Sequence, residues 1–252
     1  MDELELLIDL HKDGERQGPG GERETRRAIE LADLHKQGTL EIADIGCGTG
    51  ASTLVLAEAL DAHITAVDLF DTFLSRLALS ADERNVGERI TCLQASMETL
   101  PFDDQSLDVI WSEGAIYNVG FEAGITAWRR FLKPGGVLAV SELTWLTEHR
   151  PEALEAHWGR EYPEVDTASA KLGVLEQLGF TILGYFPLPE SCWIDNYYQP
   201  VRDRLPAFLE THADSDAARQ LADAEAQEIE LYERFRQYVS YGFYIARKIG
   251  AT

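Results

Sequence analysis

Cysteine is scarce in this chain. Cys47, Cys92 and Cys192 are the three it has, and they lie far apart. An odd count without close spacing argues against a disulfide framework and a thiolate metal cage, and it fits a reduced cytoplasm. His11, His149 and His157 show no paired ligand spacing, so no metal is expected. Positive charge is also short: 22 Lys and Arg face 44 Asp and Glu, a net charge of −22. Such a chain is repelled by a nucleic-acid backbone and by an anionic membrane, which leaves a small molecule as the expected partner. A solvated acidic surface accounts for the charge. Adaptation to concentrated salt is the alternative, and unfolding with and without molar salt separates the two. No apolar run approaches the ~20 residues of a membrane span, and no leader pattern opens the sequence, so a cytoplasmic location without membrane insertion is expected. Internal repeats and low-complexity segments are missing, and oligomeric state is not legible.

What the chain does have is Asp44-Ile45-Gly46-Cys47-Gly48-Thr49-Gly50. A short apolar run (40–45) precedes it and a helical pattern (51–60) follows, which reads as strand, glycine turn and helix start. Glycine serves there by taking backbone angles that side chains forbid and by letting a ligand approach the main chain. Cys47 reads as a small filler of that turn rather than a nucleophile. About twenty residues on, a second apolar run (63–67) ends in Asp68, where an acid faces a ribose. Turn and acid together point to an adenosine-containing cofactor. Gly46, Gly48 and Ala51 also satisfy the dinucleotide pattern G-x-G-x-x-G/A, so an NAD-dependent oxidoreductase is one reading and a glycine turn without ligand another.

Residues 2–12 read as a short amphipathic helix, and 22–36 as a second. Between them Gly18-Pro19-Gly20-Gly21 marks either a flexible linker or a loop closing over the cofactor, with Gly18 and Gly20 making the close approach. Strands and helices then alternate (40–45, 50–60, 63–68, 71–83, 90–94), which implies right-handed crossovers and a parallel sheet. A fourth strand spans 107–111 and a helix spans 122–132. Lys133-Pro134-Gly135-Gly136 stops that helix before a strand at 137–143. Helices at 151–160 and 167–178 lead to a strand from about 180 to 187. A polar helical stretch (195–238), broken near Pro200 and Pro206, precedes a last aromatic-rich strand at 238–248.

Asp44 with alternating Gly46, Gly48 and Gly50, then Asp68, Leu100-Pro101-Phe102 and Lys133-Pro134-Gly135-Gly136, occur in an order and spacing that resembles the class I S-adenosylmethionine (SAM) methyltransferases of the ubiquinone/menaquinone-biosynthesis type. The likeness spans roughly residues 40–145. It implies an α/β, doubly wound, seven-stranded, mostly parallel Rossmann-like sheet with an antiparallel last strand, its last two strands pairing at the edge. Residues 1–38 would be an N-terminal helical extension with a cofactor-covering loop. Residues 39–252 would be the SAM-binding domain, with a cap insertion at about 190–238. SAM is the implied cofactor and S-adenosylhomocysteine (SAH) the product. By position, the backbone from Gly46 through Cys47 and Gly48 to Gly50 would meet the methionine part, and Asp44 its amino group, directly or through water. Asp68 with Leu69 would take the ribose. Ser96 stands where the family often has an acid at the adenine amino group, and the Met97 backbone is the alternative donor or acceptor. The Met97 side chain suits an adenine face or ordinary core packing. Ser112 and Glu113 would end the fourth strand beside the methyl group. The NAD reading leaves Gly50, the Leu-Pro-Phe turn and the two leading helices unexplained; a non-catalytic SAM-binding protein is a third reading.

Methyl transfer from a sulfonium is an in-line displacement, so the protein must position the acceptor, exclude water and give any proton somewhere to go. Two strand-end acids are candidates for the proton, Glu113 first and Glu142 second; both residue types also serve as loop staples. Tyr117, Asn118, Glu142, Trp145, Trp193 and Tyr197 form the expected acceptor pocket. Carboxylates with aromatic walls suit an amine, and thus N-methylation. A carbon acceptor of the quinone type stays open from the Leu-Pro-Phe likeness.

Overall fold

The computed structural model describes residues 2–250. Apolar runs near the chain's start and middle form the parallel strands β1 (Leu40–Ile45), β2 (Ala62–Asp68), β3 (Ile90–Gln94), β4 (Leu107–Glu113) and β5 (Leu132–Trp145). A two-residue strand, β6 (Asp166–Thr167), pairs with the end of β5. β7 (Phe180–Pro187) and β8 (Val239–Lys248) complete a sheet whose main path runs β3-β2-β1-β4-β5-β8-β7. β8 is antiparallel to both of its neighbours. The last strand therefore lies inside the sheet, between β5 and β7, and β7 forms the edge.

The helices are α1 (Glu3–His11), α2 (Glu22–Leu31), α3 (Ala51–Ala59), α4 (Asp71–Glu83), α5 (Phe121–Trp128), α6 (Glu152–Glu161), α7 (Ala168–Gln177), α8 (Glu190–Trp193), α9 (Gln199–Thr211) and α10 (Asp216–Phe235). Alternation along the strands builds a core on each face of the sheet. Ile42, Val109, Trp111, Val137 and Ala139 pack on one side with α2, α3 and the cap. Ala43, Ile110, Leu138 and Val140 pack on the other with α5 and α7. A third, smaller cluster joins Leu6 and Leu10 of α1 to Phe208 of α9 and Ala218 of α10. α1 thus packs Leu6 and Leu10 on the cap, while its Leu4, Leu7 and Ile8 face the cavity described below.

Three expected boundaries differ. The helix expected over 22–36 ends at Leu31, because Asp33 turns left-handed (φ 55) before a short 3-10 turn at Leu34–Lys36. The apolar pattern runs on through Leu34, which is buried, so periodicity does not reveal the break. Lys133-Pro134-Gly135-Gly136 belongs to the span of β5 and follows a 3-10 turn (Arg129–Phe131), not a long helix. In the cap, Pro200 and Pro206 break nothing. Pro200 sits in the first turn of α9, where a turn of π-helix (Ile194–Tyr198) leads in, and Pro206 lies within α9. The break falls at 212–215, where the Ser215 hydroxyl oxygen caps α10 by accepting the Ala218 N–H at 3.1 Å.

Gly50 fixes how α3 leaves the glycine turn. Its φ is 89°, and a Cβ there would sit 2.1 Å from Leu77 Cδ1 of α4. Gly50→Ala combines left-handed strain with overpacking, at a cost of about 2–4 kcal/mol. It should lower the urea midpoint of unfolding without changing the slope.

Candidate cofactor and acceptor site

The turn after β1 and the tip of β2 meet at Asp68. Its Oδ2 accepts the Gly48 N–H at 2.8 Å and its Oδ1 accepts the Phe70 N–H at 3.0 Å. Burial raises the carboxyl's pKa against the pull of these backbone donors. Asp68 lines a cavity of about 830 Å³ together with the main chain of Gly46, Cys47 and Gly48. Leu69, Ser96 and Met97 line the same end. The Met97 carbonyl accepts from Trp128 Nε1 at 2.9 Å, which fixes that segment. Among nearby protein groups, a glycine turn whose backbone faces open space beside a carboxylate on the next strand fits a nucleoside with a polar tail. Cys47 also lines this end, and burial pushes its thiol's pKa up, which keeps it a thiol and not a nucleophilic thiolate.

Residues 14–21 cross this cavity as a strap. The Thr49 N–H donates to Gln17 Oε1 at 2.9 Å, and the Gln17 amide donates to the carbonyls of His11 and Gly14 at 3.2 Å. A Cβ on Gly48 would fall 2.2 Å from Gln17 Oε1, so glycine there makes room for the strap as well. Arg16 pairs with Glu113 at 3.0 Å, and Asn196 of the cap donates to the Gly20 carbonyl at 2.7 Å. Arg16, Gln17, Gly18 and Pro19 line the cavity.

Glu113, at the end of β4, also faces the cavity, but its carboxylate is engaged. Thr25 Oγ1 donates to it at 2.6 Å, Trp111 Nε1 at 3.0 Å, and Arg16 makes the ion pair. The first candidate for proton removal is thus a clasp for the strap and α2. Glu142 does not line the cavity; it is 1% exposed, with Oε1 accepting the Leu143 N–H at 2.7 Å and the Tyr162 hydroxyl hydrogen-bonded to its carboxylate. Burial pushes its carboxyl up to about 7, against the charge of buried Lys171. Trp145 turns away as well, with the Arg150 guanidinium 4.6 Å over its ring. Ser112 donates to the Ile45 carbonyl at 2.8 Å, a staple between strands. Asp44 is fully buried beneath the turn; its Oδ2 accepts from Ser52 at 2.8 Å and Thr53 at 2.6 Å, while Oδ1 is unpartnered. Gly20 and Gly50 pack against protein, at Arg16 and Leu77.

Of the expected acceptor pocket, Tyr117, Asn118, Trp193 and Tyr197 do line the cavity. The structure adds Trp158, Glu161 and Tyr162 from α6 and the residues after it, Tyr241 from β8, and Glu225 and Glu228 from α10. None carries a sequence motif. Glu225 and Glu228 read as the solvated acids of a polar helix, and only the aromatic content around 238–248 hints at Tyr241.

A mostly parallel sheet with this strand order, a glycine turn after its first strand and an acid at the tip of its second define a Rossmann-like nucleotide-cofactor-binding protein. Comparison with known proteins agrees. A family model described as "Methyltransferase domain" matches residues 43–140. An O-methyltransferase of Aspergillus nomiae is 31% identical over 176 residues, which cover 68% of this chain and 76% of that protein. A sterol 24-C-methyltransferase of Gibberella zeae is 24% identical over 154 residues, 57% of this chain and 40% of that one. The crystal structure of a SAM-dependent methyltransferase from Geobacter sulfurreducens with SAH superposes with a TM-score of 0.83 at 19% identity, covering 96% of this chain and 97% of that one. The chain belongs to the class I SAM-dependent methyltransferases. It spans about half or less of the length of several curated relatives, from 24% to 55%.

Asp44 gives the site a pH signature. Burial pushes its carboxyl from 3.8 up to about 7, against the Ser52 and Thr53 hydrogen bonds. A raised folded pKa makes its contribution to stability full below about 4 and lost as pH rises to about 7. Stability should therefore decline across that window, and Asp44→Asn should decline less steeply. Melting temperature against pH for both proteins checks this.

Proposed function

We propose that this chain transfers the methyl group of SAM to a small-molecule acceptor, and that the acceptor is an amine. SAM, when bound, supplies an electrophilic methyl on a sulfonium; this chain's residues hold, orient and desolvate. Asp68 accepts the ribose hydroxyls, and the main chain from Gly46 to Gly48 lies along the methionine part. Ser96 and Met97 flank the adenine. The strap from Arg16 to Pro19 covers the cofactor, with Glu113 holding it down. Asp44 acts by bracing the turn through Ser52 and Thr53.

One observation carries the amine reading: the cap half of the cavity joins aromatic faces to carboxylates that lack a basic partner. Tyr117, Trp158, Tyr162 and Tyr197 supply rings, and Glu161 and Glu228 supply charge. An ammonium is attracted to both. Relatives' names span carbon, oxygen and nitrogen acceptors, as in the sterol 24-C-methyltransferase, the O-methyltransferase and a dimethylglycine N-methyltransferase of Parasynechococcus marenigrum. The choice of nitrogen rests on the cavity, not on them. A net charge of −22 disfavours nucleic acid as acceptor. No helix among the described residues is long and apolar enough to cross a membrane, and the three cysteines are free, in keeping with a cytoplasmic enzyme.

SAH formation should be seen with primary or secondary amines and not with matched alcohols or thiols; turnover of the oxygen or sulfur series alone would overturn the amine reading. SAH binding without turnover on any acceptor would point to a non-catalytic SAM-binding protein. Glu113→Gln removes the charge that holds Arg16, and should weaken SAH binding about tenfold by calorimetry, the scale of a charge-assisted hydrogen bond.

A further inference from the structure

We infer that the acceptor carries an apolar group, a hydrocarbon chain or ring beyond the atom that is methylated, and that α1 reads this group through Leu4, Leu7 and Ile8. The inference rests on the proposed function in taking this cavity as the acceptor site; it does not need the accepting atom to be nitrogen. Leu4, Leu7, Ile8 and His11 stand at i, i+3, i+4 and i+7, so they share one face of α1, and all four line the cavity. Folding uses a different face. Leu6 and Leu10, at i and i+4, are buried against Phe208 and Ala218 of the cap and hold the helix in place. A surface helix needs one apolar stripe to be held. α1 has a second, and the fold leaves it open: Leu4 is 49% exposed and Leu7 38%.

The position of that stripe points to its occupant. Among the described residues eight large apolar side chains are exposed, and four of them, Leu4, Leu7, Leu69 and Tyr117, line this one cavity. Single exposed apolar residues are ordinary on a protein surface; a group of them around one cavity marks a binding surface. Leu69 follows Asp68, so the ribose end of the cofactor accounts for it. The other three adjoin the aromatic half. The Tyr117 ring meets Tyr162 edge-on at 6.1 Å, and the His11 ring stacks on Tyr197 with centroids 6.1 Å apart. From His11 the stripe runs back through Ile8 and Leu7 to Leu4, about 10 Å along the helix axis. It therefore continues the Tyr197 wall outward to the rim. A small polar acceptor would leave these side chains in water, whereas an apolar substituent on the acceptor would bury them.

Straight-chain amines and alcohols from butyl to octyl test this, because chain length changes while the head group stays constant. The full-length protein saturated with SAH is titrated with each by calorimetry. Affinity should rise about threefold per added methylene in both series, the scale of taking one methylene out of water. Leu4→Ser combined with Leu7→Ser should flatten that rise and leave SAH affinity and melting temperature unchanged. Leu4→Met combined with Leu7→Met should keep it, and so should Leu79→Ser, which changes an exposed leucine of α4 outside the cavity lining. Affinity independent of chain length, or a rise that the double serine variant leaves intact, would overturn the inference. Weakened SAH binding in that variant would also overturn it, by giving the stripe to the cofactor. So would dissociation of a self-associated protein by the same variant with the chain-length rise intact, since a second copy would then cover the stripe. Methyl transfer to amines with no effect of chain length would remove this inference and leave the proposed function standing. A chain-length rise in both series with no methyl transfer to any amine would keep the apolar subsite and remove the N-methylation reading.

Discussion

Glu113 ties the strap and the start of α2 to the end of β4. Its carboxylate takes donors from the strap (Arg16), from α2 (Thr25) and from its own strand (Trp111). The Arg16–Glu113 pair is close to buried, with side chains 12% and 6% exposed. A charge in such a place is tolerable only while its partners stay, because removing one leaves the other desolvated and alone. The position of the strap is thereby coupled to the end of β4. With the strap in place the crevice becomes a cavity, and every electrostatic contact inside it is less screened than it would be in an open groove.

The roof of that cavity comes from both ends of the chain. β8 returns between β5 and β7, so the cap is hung from two adjacent strands and cannot swing far from their ends. Its inner face is fastened by rings: Trp193 stacks on Tyr232 at 4.4 Å and meets Tyr241 of β8 edge-on at 4.9 Å. α1 then packs Leu6 and Leu10 against α9 and α10, and Asp9 meets His212 at 2.8 Å. The cap wall of the cavity is therefore set by packing before any ligand arrives, which reduces the ordering cost of binding.

The acidity of the chain reaches inward as well as outward. Asp44, Glu142 and Glu228 are each driven up to about 7, in every case chiefly by burial. They occupy three levels of the same region: under the glycine turn, under the end of β5, and in the cap wall. Asp44 keeps one carboxylate oxygen without a partner. Burial pulls all three toward the neutral form without reaching it, so the region's charge depends on pH.

The cofactor half was legible because it depends on local backbone needs. Gly46, Gly48 and Gly50 all take positive φ, and Asp68 falls at the tip of the next strand; turn geometry and strand spacing write both into the residue order. The sheet's strands and their parallel start could be read from apolar runs for the same reason. Aromatic content near 117 and 193–197 marked Tyr117, Trp193 and Tyr197, which do line the cavity. Which acid is free was decided only by tertiary structure. Glu113 and Glu228 look alike in sequence, yet one is saturated by three donors and the other is left with a single hydroxyl, because Arg16, Thr25 and Tyr198 arrive from segments far away along the chain. The place of the last strand, between β5 and β7, likewise belongs to long-range pairing, and the break of α2 at Asp33 is hidden by the apolar pattern running on to buried Leu34.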